Sequence, residues 1–168
     1  MARSKGKLVR AKRSVRTLGA ALIAAGILVT GADAAPALRD CGEVAKVTYL
    51  VGEGKDAIRT FANGAIRLYY TDTYGEPVCC SSYLVIIAPD PEEELAGAQC
   101  KVLHDDANGA GFSAIEFKKI KASYDAARGL LVRVPLQYYD PSGVGDTPGP
   151  KQTVLLRINQ ATGALTFE

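Results

Sequence analysis

Glu76-Pro77-Val78-Cys79-Cys80-Ser81-Ser82-Tyr83-Leu84-Val85-Ile86-Ile87-Ala88 is the stretch on which the architecture turns. From Tyr83 to Ala88 every position is apolar, not every second one. A strand with one wet face alternates, whereas a strand covered on both faces does not. The run is too short to span a membrane and is rich in β-branched residues. Pro77 and Pro89 bracket it, and proline is tolerated at strand ends but not in strand centres. A helix between those prolines has little room. The stretch therefore reads as the central strand of an antiparallel sheet.

In extended backbone, Cys79 and Cys80 point to opposite faces, so each is expected to meet a different partner, Cys41 or Cys100. Adjacent cysteines bridge one another only by distorting the peptide between them, which makes a Cys79–Cys80 bond the least expected pairing. If the next strand folds straight back with its turn near Glu93, Cys100 falls opposite Ile86, too far from Cys80 to bond. Either Cys79 or Cys80 then takes Cys100 through a shifted register or a neighbouring strand.

Working outward, Ala65–Asp72 reads as a strand joined to the central one through Asp72-Thr73-Tyr74-Gly75. Pro89–Gly97, with Glu92-Glu93-Glu94, is a solvated connection, and Ala98–His104 returns as a strand carrying Cys100. Asp105–Gly111 is a turn rich in Asp, Asn and Gly. Phe112–Tyr124 is extended, and its alternation changes phase near Lys118-Lys119, which marks a break. Tyr124–Leu131 and Ile158–Leu165 can be laid over one another, each with an Asx residue four positions before glycine. Such a side chain accepts backbone hydrogen bonds to open a turn, and the glycine takes the left-handed position that closes it. Leu130–Tyr139, Thr153–Ile158 and Ala164–Glu168 are the strands around them, with Asp140–Lys151 as a long Gly/Pro loop. Upstream, Pro36–Lys46 is mixed, with a short helical turn carrying Cys41, and Val44–Val51 reads as a strand. Lys55–Asn63 favours a short helix ended by Gly64, against a hairpin turn at Asn63-Gly64. The expected fold is mainly β: a small antiparallel meander, a sandwich or a partly open barrel, with at most one short helix.

The chain start carries an address. Met1–Thr17 holds seven Lys or Arg and no acid, Leu18–Gly31 is uncharged and mainly apolar, and Ala32-Asp33-Ala34 follows. This is the pattern of a secretory signal peptide, residues 1–34, cleaved after Ala34. Residues 35–168 then form a single β-rich domain, periplasmic or extracellular, with no membrane span after cleavage. The whole chain has 20 basic and 18 acidic residues, net +2. Removing the seven basic and one acidic residue of 1–34 leaves 13 and 17, net −4. The remainder gives no electrostatic reason to expect nucleic acid as a partner. Four cysteines in an exported chain imply up to two disulfides, formed by Cys41, Cys79, Cys80 and Cys100.

No motif rises to a chemical function. His104 precedes Asp105 and Asp106, but neighbouring strand residues point apart. Ser81-Ser82 lacks the glycines of a nucleophile elbow. The cysteines lack metal-site spacing, and one histidine supplies no second nitrogen. In Asp140–Lys151, Val144 and Lys151 stand where a calcium loop needs oxygen ligands. No catalytic residue, metal or cofactor is therefore assigned. Tyr69-Tyr70 and Tyr138-Tyr139 are adjacent pairs, so one ring of each is expected to face outward. With Ser142 and Gly143 on the long loop they make the candidate binding surface. The Ser142-Gly143 dipeptide resembles one in periplasmic lysozyme inhibitors, in those two residues alone, and no family is assigned on it. The reading is a non-catalytic binding or inhibitory module of the cell envelope, with an envelope protein or glycan as partner. The alternatives are a secreted hydrolase-type enzyme with a site near His104, and a purely structural envelope protein.

Overall fold

The computed structural model describes residues 35–75, 79–92, 97–106, 109–140 and 148–168. The expected signal peptide and the pair Ser142-Gly143 lie outside them. The described strands are β1 (Ala37–Asp40), β2 (Ile58–Phe61), β3 (Ile66–Asp72), β4 (Ser82–Pro89) and β5 (Ala98–His104), then β6 (Ala114–Ile115), β7 (Lys121–Asp125), β8 (Gly129–Tyr139), β9 (Pro148–Ile158) and β10 (Leu165–Phe167).

The apolar run lies in β4, the middle strand of a five-stranded antiparallel sheet ordered β1-β5-β4-β3-β2. Leu84, Ile86 and Ala88 point into the main core, while Tyr83 and Val85 are buried on the other face. The second sheet is ordered β10-β9-β8-β6, with β7 also paired to β8. Its Val132, Val134, Leu136, Tyr138, Val154, Leu156 and Ile158 complete the main core. The fold is thus a two-sheet antiparallel meander, as the pattern of short strands predicts. No α-helix occurs among the described residues. An isolated bridge between Ser82 and Phe112 links the start of β4 to the segment entering β6.

What covers the outer face of β4 is the stretch after β1. Cys41, Val44 and Ala45 pack against Tyr83, Val85 and Val102. This corrects the strand expected at Val44–Val51. Residues 43–45 and 47–49 form 3-10 turns, and only Leu50 makes an isolated bridge, to Thr71. A segment laid over a sheet face as a cover has no neighbouring strand to pair with, so short turns satisfy its backbone: the Ala45 and Tyr49 amides bond back to the Gly42 and Lys46 carbonyls.

Three further expectations are corrected. Lys55–Asn63 is not a helix: a 3-10 turn at Gly54–Asp56 leads into β2, which pairs with β3 from Ile58↔Tyr69 to Phe61↔Ile66. Nor is the connection a two-residue turn at Asn63-Gly64: the strands are joined through residues 62–65, where a 3-10 turn at Ala62–Gly64 holds Asn63 (φ 53°) and Gly64 (φ 88°) in the left-handed region. The β8–β9 loop is shorter than Asp140–Lys151, because β9 already begins at Pro148. β10 reaches only Leu156–Ile158, so the start of β9 has one open edge, where a missing proline N–H costs no ladder bond. Two residues, Gly149 and Pro150, stand opposite Tyr138 alone, a bulge that absorbs the remaining irregularity.

The third correction concerns the disulfides, which join Cys41 to Cys100 and Cys79 to Cys80. The premise of extended backbone fails, since β4 begins at Ser82 and both Cys79 and Cys80 lie in the loop before it. β5 folds straight back on β4 with Cys100 opposite Ile87, seven positions beyond Cys80, on the order of 20 Å away along the strand. Cys41 continues the β1–β5 register after Asp40↔Lys101 and so meets Cys100, with Cα atoms 5.3 Å apart. Two disulfides fit an oxidising compartment, periplasmic or extracellular. Among the described residues no helix is long and apolar enough to cross a membrane.

The repeated Asx-to-Gly segments are the turns expected. Asp125 Oδ1 accepts from the Ala127 and Arg128 amides at 2.8 and 2.9 Å, and Asn159 Oδ1 from Ala161 and Thr162 at 2.9 and 3.3 Å. Gly129 sits at φ 88°, and a Cβ there would lie 2.3 Å from the Ile158 carbonyl oxygen.

The two disulfides should differ in their effect on stability. Cys41–Cys100 spans a sequence separation of 59, and closing such a loop in the unfolded chain is worth about 4 kcal/mol. Cys79–Cys80 closes no loop beyond its own peptide. Urea unfolding of the Cys41→Ala/Cys100→Ala double variant should show a loss approaching that figure, whereas Cys79→Ala/Cys80→Ala should lose about 1 kcal/mol, mainly for the buried Cys80 side chain. Equal losses would remove the loop-closure account.

Candidate functional site

The tyrosine pairs straddle their strands, one ring to each side, as strand geometry requires. On β3, Tyr70 packs with the main core and Tyr69 with the outer cluster. On β8, Tyr138 is buried in the core and Tyr139 is 41% exposed. The outward rings, Tyr69 and Tyr139, therefore lie on the outer faces of different sheets and do not make one patch. Tyr138 meets Phe112 edge-on at 5.4 Å, its hydroxyl buried without a hydrogen-bonding partner.

Tyr69 and Tyr70 instead each line an open cavity. The Tyr70 cleft, about 400 Å³, lies between β3 and the 3-10 turn Phe117–Lys119. Tyr70 stacks on Phe117 with ring centroids 5.8 Å apart, and its hydroxyl is 3.2 Å from Ser82 Oγ. Ile115 completes the apolar floor, and Val51 and Gly52 form a wall. The turn that breaks the alternation at Lys118-Lys119 sends Phe117 inward and leaves both lysines outside. They form the rim with Asp56 and Glu116. Lys118 Nζ is 3.2 Å from Asp56 Oδ2, and Glu116 Oε1 receives Lys119 and Lys151 at 3.0 and 3.3 Å. Those two lysines, Lys119 first, hold the Glu116 carboxyl below the usual range. Exposed pairs of this kind are worth little, so a ligand can exchange them for its own polar groups at small cost. The phase break was visible in the sequence. That it brings Phe117 beneath Tyr70 was not, because the two residues are far apart in the chain.

The Tyr69 groove, also about 400 Å³, runs between the covering segment and the outer sheet face. Leu50, Ile58, Val85 and Ile87 line it, with Val47 83% exposed at its mouth. Thr71 is buried there, and its Oγ1 lacks a hydrogen-bonding partner.

The cysteine pair marks a third place, a corner where two loops are sewn together. Gly111 N donates to the Cys80 carbonyl at 2.9 Å, and Ser113 Oγ to the Cys79 carbonyl at 3.2 Å. The approach is tight: a Cβ on Gly111 would lie 2.4 Å from the Cys80 carbonyl oxygen. Beside it, His104 is 6% exposed, its Nδ1 lies 2.7 Å from the Gly109 carbonyl oxygen, and its ring meets Tyr83 edge-on at 5.4 Å. Burial holds the imidazole pKa down; the Gly109 contact opposes this. Asp105 is pushed up to about 6, first by burial, then by the charge of Asp106 and a hydrogen bond with it. Its Oδ1 is buried without a hydrogen-bonding partner. His104 is thus engaged by backbone and ring packing, in the way a core histidine is. Among the described residues no group of three His, Cys, Asp or Glu side chains is placed to hold a metal ion.

Asp105 gives this corner a pH signature. A carboxyl raised in the folded state favours folding when protonated, so its contribution is fully present below the unfolded pKa, near 3.8, and is lost as pH rises through about 6. Asp105→Asn should therefore stabilise the protein at pH 7.5 more than at pH 4, read by urea unfolding at the two pH values. His104 opposes this in the wild type, since its lowered pKa withdraws stability as pH falls below the ordinary histidine value. An equal effect of Asp105→Asn at both pH values would show that the carboxyl is not perturbed.

No family model matches the chain, and neither does any curated protein or solved structure.

Proposed function

We propose that the protein is an exported binding module of the cell envelope whose ligand is a glycan, seated in the cleft over Tyr70 and Phe117. One observation carries this reading: a stacked aromatic floor ringed by two ammonium and two carboxylate groups, in a cleft between β3 and the 3-10 turn Phe117–Lys119. Sugars offer an apolar ring face and a girdle of hydroxyls. An aromatic floor takes the first, and charged donors and acceptors at the rim take the second. The volume, about 400 Å³, falls within the roughly 300–1,000 Å³ of small-molecule sites. Two disulfides support export, and the basic-apolar-small start of the chain supports the signal peptide.

Soluble peptidoglycan fragments, titrated against the oxidised protein by calorimetry, test the reading. Saturable binding is expected. Lys118→Glu and Glu116→Gln, both on the rim, should each weaken it by roughly tenfold, about 1.4 kcal/mol, with unchanged thermal unfolding. Binding that ignores both substitutions would remove the cleft from the account, and no binding at all would remove this glycan class.

A further inference from the structure

We infer that the Cys79–Cys80 bond is a thiol–disulfide exchange site, open to small thiols and dithiols while the rest of the fold stays intact. Folding does different things for the two bridges. A disulfide stabilises a fold to the extent that the fold stabilises the disulfide, because the two belong to one thermodynamic cycle. Cys41–Cys100 joins residues 59 apart, in register across β1 and β5, so folding strongly favours it. Cys79–Cys80 joins neighbours, in a loop outside either sheet. Holding the chain folded brings those two sulfurs no closer than the sequence already does. The bridge is also confined to a small ring that contains its own peptide bond, and its Cα atoms are 3.8 Å apart, below the usual 4.4–6.8 Å. Bridges so constrained are the labile ones.

The two sulfurs are not equivalent. Cys80 is 3% exposed, whereas Cys79 is only half-buried. A thiolate therefore attacks Sγ of Cys79. The new bond joins the incoming sulfur to Cys79, the Cys79–Cys80 bond breaks, and Cys80 leaves with the electron pair and takes up a proton. The second thiol of a dithiol then attacks the mixed disulfide at the reductant's own sulfur and releases Cys79, which takes up the second proton. The dithiol is oxidised to a cyclic disulfide by two electrons, and the protein gains two electrons and two protons. Opening the ring frees the Cys79–Cys80 peptide, whose carbonyl accepts from Ser113 Oγ, and loosens the adjoining Cys80 carbonyl that holds the Gly111 amide, so the corner that carries Tyr83 and His104 is the part that senses the change.

The oxidised protein, equilibrated in graded ratios of reduced to oxidised dithiothreitol, tests this. Each sample is quenched with N-ethylmaleimide and mapped by peptide mass, with circular dichroism read in parallel. Cys79 and Cys80 should become alkylated at a ratio roughly tenfold or more below that which opens Cys41–Cys100, with the β spectrum unchanged. As a second measure, Cys80→Ser should leave a thiol that reacts with an aromatic disulfide roughly tenfold faster than the thiol left by Cys79→Ser. The proposal is overturned if both bridges open together with loss of the fold, if Cys41–Cys100 opens first, or if Cys80 is the faster thiol. Peptide mapping that shows Cys79 or Cys80 bonded elsewhere overturns it as well.

Discussion

Everything in this fold depends on burying β4 twice. Leu84, Ile86 and Ala88 face the second sheet, and Tyr83 and Val85 face the other way. The second sheet is a sufficient cover for the first face. The other face needs a cover of its own, and at roughly 1.5–3 kcal/mol for each large apolar side chain, leaving it wet would cost a large part of a small domain's stability. The segment after β1 meets that need with little regular structure. It is held at its start by β1 pairing to β5 and by Cys41–Cys100, and at its end by Leu50 beside Thr71. The disulfide thus ties an irregular cover to the strand beneath it.

That arrangement explains which parts of the fold were legible in the sequence. The double burial of Tyr83–Ala88 was readable because a both-faces-covered strand carries its signature within itself. So were the Asp125–Gly129 and Asn159–Gly163 turns, whose hydrogen bonds are made within a few residues. Val44–Val51 misled because its apolar residues answer to the sheet below and not to a strand period. Ala57-Ile58 and Phe61-Ala62 imitated a helix because Ala57 precedes β2 and Ala62 follows it, so neither is bound by the strand's alternation. The disulfide pairing failed at one assumption, that Cys79 and Cys80 belong to the strand. Glu93 as turn centre placed Cys100 opposite Ile86, one position from its observed partner Ile87, and that near-correct register already put Cys100 out of reach of Cys80.

The candidate sites were less legible for a physical reason. Adjacent tyrosines show that one ring must point each way, but not what waits on either side. Tyr70 acquires its floor from Phe117, which comes from the opposite sheet through a turn of three residues. The outward rings, Tyr69 and Tyr139, lie on separate faces, while the inward Tyr70 lines the candidate cleft. A cleft lined by residues from two sheets has no local pattern to find.

The two disulfides then divide the molecule by task. Cys41–Cys100 acts through chain entropy, so its influence is spread over everything between its ends, β2 to β4 included. Cys79–Cys80 constrains only itself and the two carbonyls that hold the Gly109–Ser113 segment. Nothing in the core requires it: β4 begins after it, and the Ser82–Phe112 bridge is made by the backbone of residues outside the ring. The Cys79–Cys80 bond therefore adds little to what holds the sheets together, although the Cys80 side chain is itself buried. In this chain the segment that Cys80 holds through the Gly111 amide also places the Gly109 carbonyl against the buried His104, next to a carboxyl raised to about 6.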